Sequence, residues 1–516
     1  MKKTIAVLLS IIMSMVVPME YALGAENSEQ LINEEVGLEQ QDVDNQEDIS
    51  ENLEEDVNDS NDIVSEEPTE PLETENSIEE NNPEETQEQE DLEPKEIEHV
   101  ETTDRMTGGY TPSELDSNTP IHKNRARMST KLPVKYPTDM NEYYAKYPDN
   151  RNQNPYGTCW AFSSLGLAEF DLINDGIFTA SNDLSELQLA YFTYNFVQDP
   201  LGGTEGDRAK YYNENTTTSY LNYGGNYEMA ARRLAQWSGA VNEADVPYGN
   251  AATVLTSGLA DEYAYDHDTA HLEDVYLINI KKNTTDVKKN IMEHGAAGVM
   301  YYHDDYSMCW NDTCLLYTYY DTAVTGGGHA VMIVGWDDDF SKDQFVGTNK
   351  PTNNGAWLVR NSWGLYCNYF WMSYETVSLS DTAWIFDFNN KDNYNNNYQY
   401  DGGLLTYPTS YTTLSNVFKT QEKEGIEAEK LEAVSVSMTR AADVNYTIDI
   451  YTNLSNEKDP TSGIKQDQAT TSGVTTYAGI YTIPLEQTVE LDPGTTFSVV
   501  ISVDQTAIDY EQAMSI

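Results

Sequence analysis

A cysteine stands at the head of a helical pattern in the stretch 151–173, RNQNPYGTCWAFSSLGLAEFDLI. That placement restricts the chain to folds that bury one helix and carry a base to its first turn. Ala161, Leu165, Ala168 and Leu172 recur at spacings of three or four, so they share one apolar face. A helix N-terminus carries about half a unit of positive charge and unpaired N–H groups. Such a site favours thiolate over thiol at Cys159 and can donate to a nearby oxyanion. Gln153, upstream, offers a second donor. The stretch GGGHAVMIVGWDDD places His329 between small residues and a strand-like run, and AWLVRNSWG supplies Asn361 to orient that base.

The other histidines fit the role of base less well. His99 and His122 lie in linkers, and His294 and His303 flank a strand without a motif. His267 and His271, in YDHDTAH, are four apart among acidic residues and read as exposed rather than metal-bound.

Gln153, the block Cys159 to Ser163, Gly328 to Ala330 and Asn361 to Gly364, in that chain order, resemble the papain family of cysteine proteases. The resemblance spans residues 132 to 376 or so and implies an α+β, two-lobed fold: a helical lobe, a β-barrel lobe and a cleft between them. It further implies a thiolate–imidazolium pair of Cys159 and His329, with Asn361 holding the imidazole and Trp363 shielding that bond. By the same resemblance Gln153 and the Cys159 N–H form an oxyanion hole. Gly224 and Gly225 would pair with an extended peptide, although a simple turn before a helix also accounts for them. Met300, beside Val299, and Ala330 would line the S2 pocket and suit an apolar P2 side chain. Neither a metal nor an organic cofactor is required. The chain departs from the family where a disulfide usually lies, because Tyr156 and Asn222 occupy its two positions. With Cys159 free, Cys309, Cys314 and Cys367 allow one disulfide at most, and Cys309 with Cys314 is the easiest pair by proximity.

A formal charge of −58 over 516 residues is too acidic for a nucleic-acid binder, and the chain is too long for one domain. Residues 1–25 read as a secretory signal peptide, too short in their apolar run for a membrane span. Residues 26–104 have Lys95 as the only Lys or Arg and no aromatic side chain, which predicts disorder. That segment is a spacer or a binder of cations or a basic wall polymer. Residues 105–131 form a linker whose charge changes sign at Lys123, Arg125, Arg127 and Lys131, either plain or carrying a processing site. The protease-like part is assigned to 132–378.

From 385 to 516 the chain is rich in Asn, Asp and Tyr, and then in alternating β-branched runs, which predicts a β-sandwich, unfinished or complete at Ile516. A papain-like domain followed by such a module resembles secreted or surface proteases of clostridia, whose module is described as lectin-like. Asp387, Asp392 and Asp401 could hold calcium or merely line a polar loop. The expected product is a monomeric, secreted or wall-associated endopeptidase acting on protein or peptide substrates, with a surface glycan as a partner of the β module. The rival reading is a surface carbohydrate- or protein-binding protein on an inactive protease-like scaffold. Wall-peptide amidases share the Cys–His pair but not the Asn-Ser-Trp-Gly block.

Overall fold

The apolar run after Cys159 folds into α1 (Cys159–Asn174), which ends at Asp175 and at Gly176 with φ 73°. The computed structural model describes residues 108–123, 131–205, 219–404, 406–422, 425 and 428–511, and the backbone of 7–8 and 10–11. The signal-peptide and acidic-segment readings otherwise lie outside the described residues. In α1 every residue but Asn174 is buried, so the helix is wrapped on all sides and not on one face alone. Its two carboxylates therefore need partners. Glu169 pairs with Arg151 Nη1 at 2.7 Å and accepts from the Leu184 N–H at 2.8 Å. Asp171 accepts from the Phe388 N–H at 2.6 Å and meets His294 Nδ1 at 2.7 Å.

Two further helices of this lobe, α2 (Glu186–Tyr194) and α3 (Tyr227–Ala235), pack against α1. Side-chain oxygens cap both, Ser185 accepting from the Gln188 N–H and Asn226 from the Met229 N–H. A fourth, α4 (Thr284–His294), packs on the β lobe.

The β lobe uses β1 (Ala270–Asn279), β2 (Ala297–His303), β3 (Gly327–Asp337), β4 (Ala356–Arg360), β5 (Tyr369–Ser373) and β6 (Thr382–Asn390). They lie in the order β1-β6-β2-β3-β4-β5, each neighbour antiparallel. Strand alternation sorts the side chains of β2: Val299 and Tyr301 enter the β-lobe core, while Met300 joins the cluster shared with the helical lobe. The insert after β3 is a loop with one 3-10 turn at Lys342–Gln344. Buried Phe340 and Phe345 pin it down, Phe340 stacking on Trp371 at 4.7 Å.

The boundary placed at 385 falls inside β6, which pairs along the whole of β1 and thus belongs to the protease sheet. Beyond it come β7 (Thr413–Lys419), β8 (Glu429–Met438), β9 (Asn445–Thr452), β10 (Ala478–Leu491) and β11 (Thr496–Val503). Val434, Val436, Ile448, Ile450, Val499 and Ile501 fill the core between the β8–β10 and β7–β11–β9 layers, as in a sandwich. The sandwich is not a separate bead. Residues Ala478, Gly479 and Ile480 pair with Leu277, Tyr276 and Val275, so one sheet runs through both domains. A Cβ at position 479 would fall 1.9 Å from the Val275 carbonyl oxygen, which only glycine avoids.

All four cysteines are unbridged, including Cys309 and Cys314. Among the described residues no helix is long and apolar enough to cross a membrane.

Candidate active site

Thr158 and Cys159 turn the chain into α1 where that helix faces β3. Tyr248 fixes this corner: its hydroxyl donates to the Gln153 carbonyl at 2.6 Å and lies 2.6 Å from Thr158 Oγ1. On β3, His329 Nε2 is 2.8 Å from Asn361 Oδ1, which assigns the proton to Nε2, while Nδ1 has no hydrogen-bond partner. The Ala330 N–H approaches Cys159 Sγ at 3.5 Å. Trp363 stacks on the imidazole, centroids 4.5 Å apart and planes 16° from parallel. This arrangement gives His329 one fixed face, one oriented nitrogen and one free nitrogen.

Gln153 is oriented through residues that sequence reasoning did not single out. Ser362 Oγ donates to Gln153 Oε1 at 2.7 Å, and the Gln153 N–H donates to the Ser362 carbonyl at 2.9 Å. The amide nitrogen is thereby aimed at the cleft, where it donates to the carbonyls of Tyr156 at 3.0 Å and Gly108 at 3.3 Å.

That last contact brings in a segment read from sequence as part of a linker. Residues 108–111 lie in the cleft. The Gly109 and Tyr110 N–H groups both donate to the Gly328 carbonyl, the Thr111 N–H donates to the Gly225 carbonyl, and the Gly225 N–H donates to the Gly109 carbonyl. Tyr110 and Gly225 make a parallel bridge. A Cβ at position 108 would sit 2.4 Å from the Gly328 oxygen, and one at 109, where φ is 136°, would sit 2.1 Å from the Gly157 oxygen. Only a Gly-Gly pair passes between these walls, and the Gly108-Gly109-Tyr110 sequence was the available signal.

Tyr110 is 5% exposed, its ring 5.6 Å from that of Tyr227. Its hydroxyl donates to Asp116 at 2.9 Å, and Trp384 Nε1 donates to the same carboxylate at 3.1 Å. Tyr110, Leu115, Met300, Ala330 and Cys159 belong to one apolar cluster, whereas Val299 faces away from it.

Gly225 lies over the Trp160 ring, with 2.3 Å between a built Cβ and Trp160 Cε2. Gly225→Ala is therefore expected to cost about 1–3 kcal/mol by overpacking. Chemical denaturation would read this as a lowered midpoint. Gly224, at φ 85°, approaches Thr111 and Gly109 equally closely.

The covered site is closed to solvent. Cys159 and His329 are both 0% exposed. Burial pushes the Cys159 thiol up to about 12, against the pull of the Ala330 N–H. Burial lowers the His329 imidazole to about 3, against the hydrogen bond with Asn361. In this closed arrangement burial disfavours the charged form of each group. His303 also lies nearby, its ring 6.4 Å from His329 and 4.9 Å from Trp363. His271, expected to be exposed, is 8% exposed and stacks on Trp237. Asp387 groups with Asp171 and His294, not with Asp392 or Asp401.

A cysteine at a buried helix terminus thus lies against a sheet that carries an oriented imidazole, with an amide donor beside them. Residues 137–383 match the papain family cysteine protease profile, and residues 397–516 match a lectin-like domain. The chain thus carries a papain-family cysteine protease domain, with a lectin-like domain behind it. A cysteine protease of Blomia tropicalis is 27% identical over 220 residues, 42% of this chain and 53% of that protein. Cathepsin B-like cysteine proteinase 3 of Caenorhabditis elegans is 27% identical over 237 residues, again 42% of this chain and 53% of the relative. The chain thus spans about half the length of these curated relatives. The clostridial cysteine protease Cwp84 after propeptide cleavage superposes with a TM-score of 0.56 at 25% identity, over 73% of this chain and 87% of that one. The cysteine protease and lectin-like domains of Cwp84, a surface layer associated protein of Clostridium difficile, superpose with a TM-score of 0.56 at 24% identity. That match covers 78% of this chain and 84% of the other.

Proposed function

We propose that the chain is a cysteine endopeptidase that works outside the cell or on its surface and is held latent by its own residues 108–123. One observation carries the reading: Cys159 at the N-terminus of α1 faces the strand bearing His329, whose Nε2 is tied to Asn361 and whose Nδ1 is left for a thiol. In the open enzyme His329 takes the Cys159 proton, and the sulfur attacks a peptide carbonyl. The oxyanion receives donations from the Gln153 amide and the Cys159 N–H, each typically worth about 3 kcal/mol in the transition state. The proton on His329 then passes to the leaving amine, and water activated by neutral His329 releases the acyl-enzyme. Hydrolysis of fluorogenic dipeptides with varied P2 residues, under reducing conditions, tests this. An apolar P2 preference is expected from Met300 and Ala330. Silence of the chain even after removal of residues 108–123 would overturn the reading.

Latency follows from direction. Acyl-side residues of a substrate run N to C from Gly225 toward Cys159, whereas residues 108–111 run from Gln153 toward Gly225, the opposite way. The segment occupies the cleft without presenting a carbonyl in the productive sense. The sandwich helps to hold it. Arg440 Nη1 pairs with Glu114 at 3.0 Å, and Asp443 accepts from the Lys123 N–H and meets His122 Nδ1, each at 2.9 Å.

Docking of the segment depends on pH. Burial raises Asp116 from 3.8 to about 6, against donations from Ser113, Tyr110 and Trp384. The docked form binds the extra proton, so its stabilisation is complete below the free pKa and is lost as pH rises through about 6. Alkylation of Cys159 reports release of the segment. The rate of the wild type relative to Asp116→Asn should rise between about pH 5 and about pH 7.5, by about tenfold. Taking the ratio cancels the thiol's own titration, and a flat ratio would remove Asp116 from the account.

Cwp84 is described as surface layer associated, and likeness to it supports action at a cell surface. The lectin-like domain supports a surface partner.

A further inference from the structure

A second cavity, of about 260 Å³, lies where the C-terminal end of α3 meets β1 and the strap 391–399. None of its lining residues belongs to the catalytic set or to the cleft segment. Trp237, Asp268 and His271 come from the protease domain, and Asn397 and Gln399 from the first residues of the lectin-like match.

Four polar atoms of its lining residues are buried without a partner: Trp237 Nε1, His271 Nδ1, Asn397 Oδ1 and Gln399 Oε1. The residues carrying them are 9%, 8%, 7% and 2% exposed. Orphaned buried polar groups are uncommon and costly. Here each is set by a bond on its other side. Asn397 Nδ2 donates to the Ala235 carbonyl at 3.1 Å, and Gln399 Nε2 donates to the Gln236 carbonyl at 3.0 Å. His271 Nε2 donates to Asp268 Oδ2 at 2.9 Å, which leaves Nδ1 as an acceptor. The Trp237 ring, at φ 62° and stacked on His271 at 4.0 Å, cannot turn its N–H elsewhere without breaking that stack.

The site therefore offers three fixed acceptors and one fixed donor, with Tyr394 beside them and Lys391 at the rim. An anion would face the three acceptors unfavourably, and of the two carboxylates on the lining Asp268 is already engaged with His271 while Asp392 is exposed to solvent, which leaves a metal ion no free buried carboxylate. Hydroxyl groups, each donor and acceptor at once, match the set. The volume is below the roughly 300–1,000 Å³ of sites for drug-sized ligands. We propose that this junction binds one neutral sugar ring, with hydroxyls donating to Asn397, Gln399 and His271 and accepting from Trp237.

The test uses the full chain and needs no hydrolytic activity, so it stands or falls apart from the protease reading. Uncharged monosaccharides (glucose, galactose, mannose and N-acetylglucosamine) are titrated by saturation-transfer NMR and calorimetry. At least one should bind saturably, with Kd on the order of 1 mM. Trp237→Phe, which keeps the ring and removes the donor, and Gln399→Leu should each weaken it tenfold or more. A di- or oligosaccharide binding no tighter than its terminal unit would mark a single-ring site for free sugar or chain ends. Absence of saturable binding across the panel, or equal binding by both folded variants, would overturn the proposal. Should the variants not fold, a sugar-soaked crystal of the wild-type chain decides: a ring on the four atoms supports the site, and ordered water alone there, or a sugar elsewhere, overturns it.

Discussion

Cys159→Ala will abolish hydrolysis of a fluorogenic dipeptide, with a loss of roughly six orders of magnitude in kcat, the scale seen when a catalytic nucleophile is removed from a hydrolase. The large effect comes from chemistry and not from folding, since Sγ to hydrogen is a small volume change at a site already lined by Ala330 and Trp160. Melting temperature should move little. His329→Ala should cost nearly as much, and the double variant no more than either alone, because nucleophile and base act as one unit. An epoxide directed at thiols should label the opened wild type at Cys159 and spare the variant. Activity in Cys159→Ala within tenfold of the wild type would remove this residue from the mechanism.

Tyr110→Ala in the uncut chain is expected to raise peptidase activity by roughly two to three orders of magnitude. Tyr110 is the side chain that anchors the cleft segment: its ring is buried against Tyr227, and its hydroxyl joins Trp384 in donating to Asp116. Removing a buried aromatic side chain costs about 3–5 kcal/mol, and here that cost falls on docking because the enzyme beneath keeps its own contacts. Each 1.4 kcal/mol is about a tenfold change in the docked population. Tyr110→Phe, which keeps the ring and loses the hydroxyl bond, should fall between. Rates of the uncut variant, the uncut wild type and the wild type freed of residues 108–123 decide the matter. A Tyr110→Ala chain as silent as the uncut wild type, beside an active freed enzyme, would show that the segment is held by something else.

Much of the site was legible because its chemistry is local. Cys159 at a helix start, His329 among small residues and Asn361 before Ser362 each announce themselves within a few neighbours, and helical periodicity marked the run that folds into α1. Ser362 and Tyr248 were not legible in this way, since they act on Gln153 from 209 and 95 residues away. The Gly108-Gly109 pair looked like linker because its reason for being glycine, the carbonyls of Gly157 and Gly328, lies elsewhere in the chain.

Short-range order thus settled which residue types could do chemistry and which segments would be helix or strand: 3.6- and 2-residue periodicity and turn propensity need no distant partner. Only the tertiary structure decided which strand joins which sheet, so that β6 stays with the protease and β10 ties the sandwich to β1. It alone decided that the cleft is filled from within the chain and that Trp237, His271, Asn397 and Gln399, each with an unpartnered polar atom, line one cavity. Pairing and burial are long-range choices among many sterically allowed partners, and a linear pattern of apolar residues does not name the partner.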